Sequence, residues 1–163
     1  MATQLKNLSD FSHTTVPDGS PYKIAIAVAE WNSEVTGSLY NGALQTLLKH
    51  GVAADNILSV AVPGSFELTS AADILLKKHQ GLDAVICLGC VIQGDTKHFD
   101  FICDAVAHGI TQVSVKYSKP VIFGVLTTND QQQAIDRAGG KHGNKGDEAA
   151  ITALKMAELS SNL

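Results

Sequence analysis

The chain has few charged residues and no long apolar segment. Only 17% of its 163 residues are charged, and 12 basic against 16 acidic residues give a formal net charge of −4. No run of lysine and arginine marks a nucleic-acid partner. No apolar run approaches the roughly 20 residues of a transmembrane helix, and residues 1–19 lack the apolar core of a signal peptide. We therefore expect a cytoplasmic protein with no membrane and no nucleic-acid partner.

Cysteine is also scarce, and its pattern argues against two common kinds of site. Cys87 and Cys90 form the only C-x-x-C pair, while Cys103 lies on the apolar stripe of a predicted helix. Redox and zinc pairs aim both sulfurs at one point, whereas residues three apart on a strand point to opposite faces. Apart from His98, the histidines show no paired spacing or cluster. We expect three buried, structural cysteines and no metal site.

Alternating strand and helix patterns are what the chain has in abundance. Apolar runs predict four strands, and apolar stripes at helical spacing predict helices between and after them. The predicted strands are Tyr22–Ala29, Asn56–Val62, Ala84–Leu88 and Val121–Thr127. The predicted helices are Glu34–His50, one capped by Ser65 and running to about Gln80, one beginning near His98, a short one from Asn129 or Asp130 to Arg137, and Asp147–Leu159.

This alternation favours βαβ units, and therefore an α/β domain whose parallel sheet is covered by helices on both faces. The length and the hydrophobic content of 45% suit one domain, residues 21–163, with apolar surface left for contacts between subunits. Residues 1–20 are polar and show no period. They are expected either to be disordered or to form an arm that pairs with a neighbouring subunit.

The most informative segment, residues 83–104, joins the third strand to its helix. The strand is followed by the turn Gly94-Asp95-Thr96, and the helix opens with His98. Free N–H groups at a helix start attract anions, and α/β proteins bind ligands at the carboxyl ends of parallel strands. An isolated histidine is more often structural, but beside an anion turn it can move protons near neutral pH. The segment is predicted to form one edge of an active site.

The other three strands also end in polar loops that should meet at this edge. These loops contain Glu30-Trp31-Asn32, the segment 63–67, and Thr127-Thr128-Asn129. Trp31 either covers the sheet edge or offers a stacking platform for a flat heterocycle. The segment 137–146 combines basic side chains with glycines, and it is either a flexible anion clamp or a solvated loop.

Taken together, these segments resemble the 6,7-dimethyl-8-ribityllumazine synthase family of riboflavin biosynthesis. The resemblance covers nearly the whole chain after the arm, in order and at family spacing, and is most specific in GDTKHF and RAGGKHGNKG. It implies a three-layer sandwich around a central four-stranded, parallel, flavodoxin-like sheet. The matching stretches are AEWN (29–32), VPGSFEL (62–68), LGCVIQGDTKHFDFI (88–102), PVIFGVLTT (120–128) and QAIDRAGGKHGNKGDEAA (133–150).

The resemblance implies a role for individual residues toward the pyrimidine substrate. Trp31 falls where the family stacks an aromatic ring on the pyrimidine, and Asn32 falls where the family helps to hold it. Glu67 corresponds to the acceptor for the ribityl hydroxyls. The family's segment that receives the ribityl chain and the pyrimidine corresponds to Ser65, Phe66 and Glu67. The family's strand end whose backbone binds the pyrimidine edge corresponds to Val91 and Ile92.

A second group of residues is implied for the phosphorylated substrate. His98 corresponds to the proposed proton carrier, and Arg137 to a phosphate ligand supplied by the adjacent subunit. Gln93 departs from the family, where many members carry Arg or Lys, and weaker phosphate binding is one expected consequence. Gly94, Asp95 and Thr96 match the family's phosphate-binding turn. Phe123 and Lys141 match the other residues that the adjacent subunit supplies, and Glu148 matches an acidic residue of the family near the same edge.

The implied reaction condenses 5-amino-6-ribitylaminouracil with 3,4-dihydroxy-2-butanone 4-phosphate, and it needs no metal or organic cofactor. The amine attacks the ketone to form an imine, phosphate is eliminated, and ring closure with loss of water gives the lumazine. A homo-oligomer is implied, with sites shared between adjacent subunits of a pentamer. The short glycine turn favours the closed shell of sixty subunits, and riboflavin synthase is an expected associate.

Three other functions are compatible with this fold. A flavin or lumazine carrier could keep the aromatic pocket, but it would not be expected to retain both His98 and Arg137. A container shell would not need an intact GDTKHF turn. An enzyme that dismutates lumazine to riboflavin would not need the phosphate groups. The retained residues therefore favour the synthase.

Overall fold

Four strands alternate with helices as the hydrophobic pattern predicts, and two further short strands form an antiparallel hairpin in the glycine-rich segment that was expected to be a loop. The structure, a computed structural model, describes residues 7–163. Its strands are β1 (Ile24–Ala29), β2 (Ile57–Val62), β3 (Ala84–Ile92), β4 (Val121–Thr128), β5 (Ala138–Gly140) and β6 (Gly143–Asn144). Its helices are α1 (Ser33–Lys49), α2 (Leu68–Lys78), α3 (His98–Tyr117), α4 (Gln131–Asp136) and α5 (Lys145–Asn162), with 3-10 turns at Ala54–Asn56 and Ser65–Glu67.

The first four strands form one parallel sheet in the order β2-β1-β3-β4. Successive side chains of a strand point to opposite faces, so Ile24 and Ile26 of β1 pack with α1, α4 and α5, whereas Ala25 and Ala27 pack with α2 and α3. Every residue of β3 from Ala84 to Cys90 is buried. Burial on both faces explains the unbroken apolar runs, and the predicted three-layer, flavodoxin-like α/β fold is confirmed.

Cys87 and Cys90 confirm that the C-x-x-C pair diverges. Cys87 packs in the core on the α2 and α3 side, and Cys90 in the core on the opposite side. Burial raises the pKa of the Cys87 thiol to about 12 and that of Cys90 to about 11, which keeps both protonated at neutral pH. Cys103 is only half-buried, so its predicted burial is incomplete. Within residues 7–163, no group of three or more metal-ligating side chains is clustered.

The prediction that Ser65 caps α2 is wrong. Ser65–Glu67 forms a 3-10 turn, and α2 begins afterwards at Leu68 without a side-chain cap. Ser65 is instead buried against Gly89 of β3, where a Cβ atom would lie 2.6 Å from the Ser65 Oγ. The Ser65 side chain therefore faces the sheet and not the first turn of α2.

The predicted arm is described only from residue 7 onward; residues 1–6 lie outside the described part of the chain. Residues 7–20 contain no strand and contact their own domain. Leu8 N donates to His142 O at 2.7 Å, and Gly19 N donates to His50 O at 2.7 Å. Pairing of the arm with a neighbouring subunit stays a prediction. No helix within residues 7–163 is both long and apolar enough to cross a membrane.

Candidate active site

A pocket of about 530 Å³ opens at the carboxyl edge of the sheet. It lies where the chain leaves β1, β2 and β3, as expected for ligand sites in parallel sheets. The loop after β4 was also expected at this edge, but it does not line the pocket. The end of β3, which extends to Ile92, lies between the pocket and that loop, and Gln93 N donates to Thr128 O at 2.8 Å. The lining residues are Trp31, Asn32, Gly64, Ser65, Phe66, Glu67, Cys90, Val91, Ile92, His98 and Ile102.

Trp31 forms part of the pocket wall. Its side chain is 74% exposed, so it buries too little surface to anchor the sheet edge. The backbone holds it instead, since Glu30 N donates to Val62 O at 2.8 Å and Trp31 N donates to Pro63 O at 3.2 Å. This exposure argues against the interpretation as an anchor, and the role as a stacking platform stays a prediction.

The 3-10 turn Ser65–Glu67 supplies a second aromatic side chain to the pocket. Phe66 is 55% exposed, and Glu67 N donates to Gly64 O at 3.3 Å. Because Ser65 is buried while its two neighbours line the pocket, the turn offers one apolar ring and one carboxylate to a ligand. An amphipathic molecule with a flat ring and hydroxyl groups suits this combination.

His98 lies at the mouth of the pocket as the first residue of α3. The preceding bend, residues 94–96, is exposed and lies between Ile92 and His98, both of which line the pocket. His98 N donates to Thr96 Oγ1 at 3.4 Å, a long bond that leaves the helix start open to an incoming anion. The strand end, the bend and the histidine are therefore adjacent as predicted, although residues 94–96 do not themselves line the pocket; that the bend binds an anion stays a prediction.

Three predicted site residues lie away from this pocket in their own chain. Phe123 lies on β4 and packs against the core on the α2 and α3 side. Arg137 follows α4, where its Nη1 donates to Gln133 O at 3.3 Å. Lys141 lies in the hairpin of β5 and β6 and forms an ion pair with Asp136 at 2.9 Å. The pocket of one described chain therefore lacks these three side chains.

Two ion pairs lie in the region of α4, the β5–β6 hairpin and the start of α5. The Asp136 carboxylate accepts from Gln132 Nε2 at 2.9 Å as well as from Lys141, and Lys145 Nζ donates to Glu148 Oε1 at 2.6 Å. The Lys141 ammonium and the Gln132 bond hold the pKa of the Asp136 carboxyl below its usual value. In the single chain, Lys141 is therefore held by an ion pair within its own surface.

Replacing Asp136 with asparagine is expected to lower thermal stability at pH 6 but not at low pH. A depressed carboxyl pKa stabilises the fold above the unfolded-state pKa of about 4, and that contribution is lost as the pH falls through the folded-state pKa. Melting temperatures of D136N and the wild type should therefore converge below about pH 4. Lys141→Met removes the same ion pair from its other end and should converge likewise. A gap between D136N and wild type that persists at low pH would contradict the assignment.

Gly89→Ala is expected to destabilise the protein and to distort the pocket. The new Cβ would lie 2.6 Å from Ser65 Oγ, 3.0 Å from Leu68 Cδ1 and 3.2 Å from Ser65 Cβ. Rotation of the Ser65 hydroxyl relieves only the first contact, so the turn that carries Phe66 must also shift slightly. Overpacking of this kind costs about 1–3 kcal/mol of unfolding free energy. Denaturant unfolding checks the result, with Gly81→Ala as the matched control, because a Cβ at Gly81 meets no atom within 4 Å. Equal stabilities of the two variants would refute the prediction.

Three lining residues, Gly64, Cys90 and Ile102, were not identified as site residues from the sequence. Cys90 directly precedes two residues that were identified, and Ile102 lies one helical turn after His98 on α3. Each was interpreted as part of an apolar pattern or turn, and apolar patterns do not distinguish core from pocket wall. Adjacency in the strand and i, i+4 spacing from His98 were the signals that could have found two of them.

Comparison with known proteins indicates one family. Residues 21–161 match the family described as 6,7-dimethyl-8-ribityllumazine synthase. Relatives of that name include one from Cytophaga hutchinsonii, 62% identical over 96% of this chain and 97% of the relative. One from Porphyromonas gingivalis is 59% identical over 98% of each chain, and one from Parabacteroides distasonis is 54% identical over 99% of this chain and 100% of the relative. The similarity covers every residue that lines the pocket.

Proposed function

The chain belongs to the 6,7-dimethyl-8-ribityllumazine synthase family, and we propose that its reaction takes place in the pocket at the carboxyl edge of its sheet. It is a transferase of riboflavin biosynthesis that condenses 5-amino-6-ribitylaminouracil with 3,4-dihydroxy-2-butanone 4-phosphate, releasing phosphate and water. The observation that carries the proposal is the presence of two exposed aromatic rings, Trp31 and Phe66, in the same pocket as His98.

The pyrimidine substrate is proposed to bind between the strand ends and the 3-10 turn. Trp31 stacks on the flat ring. Stacking is favourable here because it would cover an indole whose surface is mostly exposed. The backbone of Ile92 binds the pyrimidine edge, and the Glu67 carboxylate accepts hydrogen bonds from the ribityl hydroxyls. Of the two backbone contacts expected from the sequence, only that of Ile92 is proposed, because the backbone of Val91 faces β4. A cavity of about 530 Å³ lies within the range usual for small-molecule sites.

The phosphate of the second substrate is proposed to bind at the bend of residues 94–96 and the start of α3. Backbone N–H groups at a helix start attract anions, and the 20-residue α3 presents its N-terminus at the pocket. His98 then lies where it can carry protons during imine formation and phosphate elimination. No activated nucleophile is needed, because holding two reactive substrates together supplies much of the acceleration.

Phe123, Arg137 and Lys141 are proposed to complete the pocket of an adjacent subunit. All three lie away from the pocket of their own chain. If they serve the reaction, they must therefore do so in the pocket of a neighbouring subunit. Arg137 would bind the phosphate in bidentate fashion.

We accordingly propose a pentamer as the minimal active unit and a closed shell of sixty subunits as the full assembly. Light scattering or electron microscopy showing only pentamers would refute the shell.

Two impaired variants should restore activity to each other when they assemble together. His98→Ala disables one side of each site, and Arg137→Ala disables the side proposed to come from the neighbour. In mixed rings from co-expression, about a quarter of the sites would combine an intact His98 with an intact Arg137. Lumazine formation well above that of either variant alone is expected. Hybrid assemblies no more active than the parent variants would contradict a shared site.

An absorbance assay with both substrates tests the proposed function directly. Appearance of the lumazine chromophore above the spontaneous background, with stoichiometric release of phosphate, is the expected result. Tight binding of lumazine or riboflavin with no rate above background would instead support a carrier. A cytoplasmic location and an association with riboflavin synthase remain predictions, to be checked by fractionation and co-purification.

A further inference from the structure

At the carboxyl end of β3, a side chain instead of a strand bonds to the backbone edge that faces β1. β1 pairs with β3 only as far as Val28 and Leu88, whereas β3 continues to Ile92. Val85 N and Gln93 N both donate toward the β4 side, so the alternate residues of β3, including Cys90, face β1. The Cys90 carbonyl therefore lies beyond the last residue of its partner strand. Asn32 Nδ2 donates to it at 3.0 Å.

The backbone of Asn32 is shaped to make this bond. It has φ 60° and ψ 46°, a left-handed conformation that few residues besides glycine and asparagine tolerate. Its carbonyl starts α1 by accepting from Val35 N at 2.9 Å and Thr36 N at 3.0 Å. An asparagine at a helix start usually caps the helix with its side chain, but here the side chain makes no capping bond and turns to β3 instead.

Trp31 lies in the loop that this bond connects to β3. With 74% of its surface exposed, its indole is held by few packing contacts. The loop that carries it is tied on the β2 side by the bond from Trp31 N to Pro63 O and on the β3 side by the bond from Asn32 to Cys90. Loss of the second bond would leave the loop attached to the sheet on one side only.

We propose that Asn32 is a positioning residue, whose amide fixes Trp31 in the pocket wall by tying its loop to β3. The proposal rests on the function proposed above, and it differs from a direct contact between Asn32 and the pyrimidine. The donation to Cys90 also occupies a carbonyl that would otherwise compete for substrate N–H groups. The backbone of Ile92, which faces the same side as Cys90, then remains available to the ligand, whereas the backbone of Val91 faces β4.

Two substitutions separate positioning from direct contact. Asn32→Gly keeps the left-handed backbone accessible and removes the amide, whereas Asn32→Asp keeps the size and places an acceptor against the Cys90 carbonyl. Ser33→Ala, at the next and exposed residue, is the control. Because Trp31 is the only tryptophan, its fluorescence anisotropy and acrylamide quenching in ligand-free protein report the mobility of this loop alone.

Both Asn32 variants are expected to lower the anisotropy of Trp31 and increase its quenching without ligand, while Ser33→Ala leaves them unchanged. The KM for the pyrimidine should rise about five- to tenfold, as for the loss of one hydrogen bond, while the KM for the butanone phosphate stays within about twofold. An unchanged Trp31 signal in both variants would overturn the proposal, whatever the KM. If the wild type lacked synthase activity, the proposed function would fail, and the fluorescence would still decide the role of Asn32.

Discussion

Replacing His98 with alanine is expected to lower turnover about 10²–10⁴-fold while leaving lumazine formation detectable above background. His98 lies at the pocket mouth on the first turn of α3, within reach of a substrate bound between strand ends and helix start. Imine formation, phosphate elimination and ring closure each move protons, and an imidazole carries them near neutral pH. The residual activity reflects the binding of two reactive substrates side by side, which the substitution leaves in place.

Single-turnover and steady-state assays of lumazine formation measure this effect. His108→Ala is a matched control, because His108 is an exposed histidine ten residues further along the same helix and bonds to Asp104 away from the pocket. The control should keep full activity. If the turnover of H98A fell by no more than about twofold, which is below the usual range for a general acid–base group, His98 would have no catalytic role.

Gly146→Ala is expected to reduce the free energy of unfolding by about 3 kcal/mol or more, at the upper end of overpacking effects. Gly146 lies in the first turn of α5, where that helix crosses α1. A Cβ there would lie 1.9 Å from Leu39 O and 3.0 Å from Ala43 N. Both are backbone atoms of α1, so the clash can be relieved only by separating the two helices. Asn144 Oδ1 also accepts from Gly146 N at 2.8 Å, and that cap would be disturbed.

Denaturant unfolding followed by circular dichroism checks the prediction. Gly37→Ala on α1 is the control, because a Cβ at Gly37 meets no atom within 4 Å. Alanine is the better helix former, so this variant should be stabilised by about 0.5–1 kcal/mol. If G146A unfolded within about 1 kcal/mol of the wild type, the close crossing of α1 and α5 would be disproved as a constraint on this position.

Much of the fold could be predicted because its signals are local. The apolar run of β3, the divergence of Cys87 and Cys90, and the start of α3 at His98 follow from strand and helix periodicity. The cap of α4 was left open between Asn129 and Asp130, and the structure assigns it to Asp130, whose carboxylate accepts from Gln133 N at 2.8 Å. Element boundaries were less accurate: α5 begins at Lys145, not Asp147, and ends at Asn162, not Leu159.

The convergence of the pocket was predicted in part, because the carboxyl ends of parallel strands share one edge. The loops that carry Trp31, Phe66 and His98 meet there as expected. The loop after β4 does not, since the four extra residues of β3 separate it from the pocket. How far a strand continues depends on its neighbours in the sheet, and an apolar pattern within one strand carries no information about them.

The sequence by itself determined the four strands of the main sheet and the helices around it, because hydrophobic period and turn composition act over a few neighbouring residues. Only the tertiary structure decided which polar groups bond to which. Ser65 faces Gly89 instead of capping α2, and Asn32 bonds to Cys90, a partner 58 residues away, instead of capping α1. Several partners compete for each of these side chains, and the packing of the sheet determines which partner lies within reach.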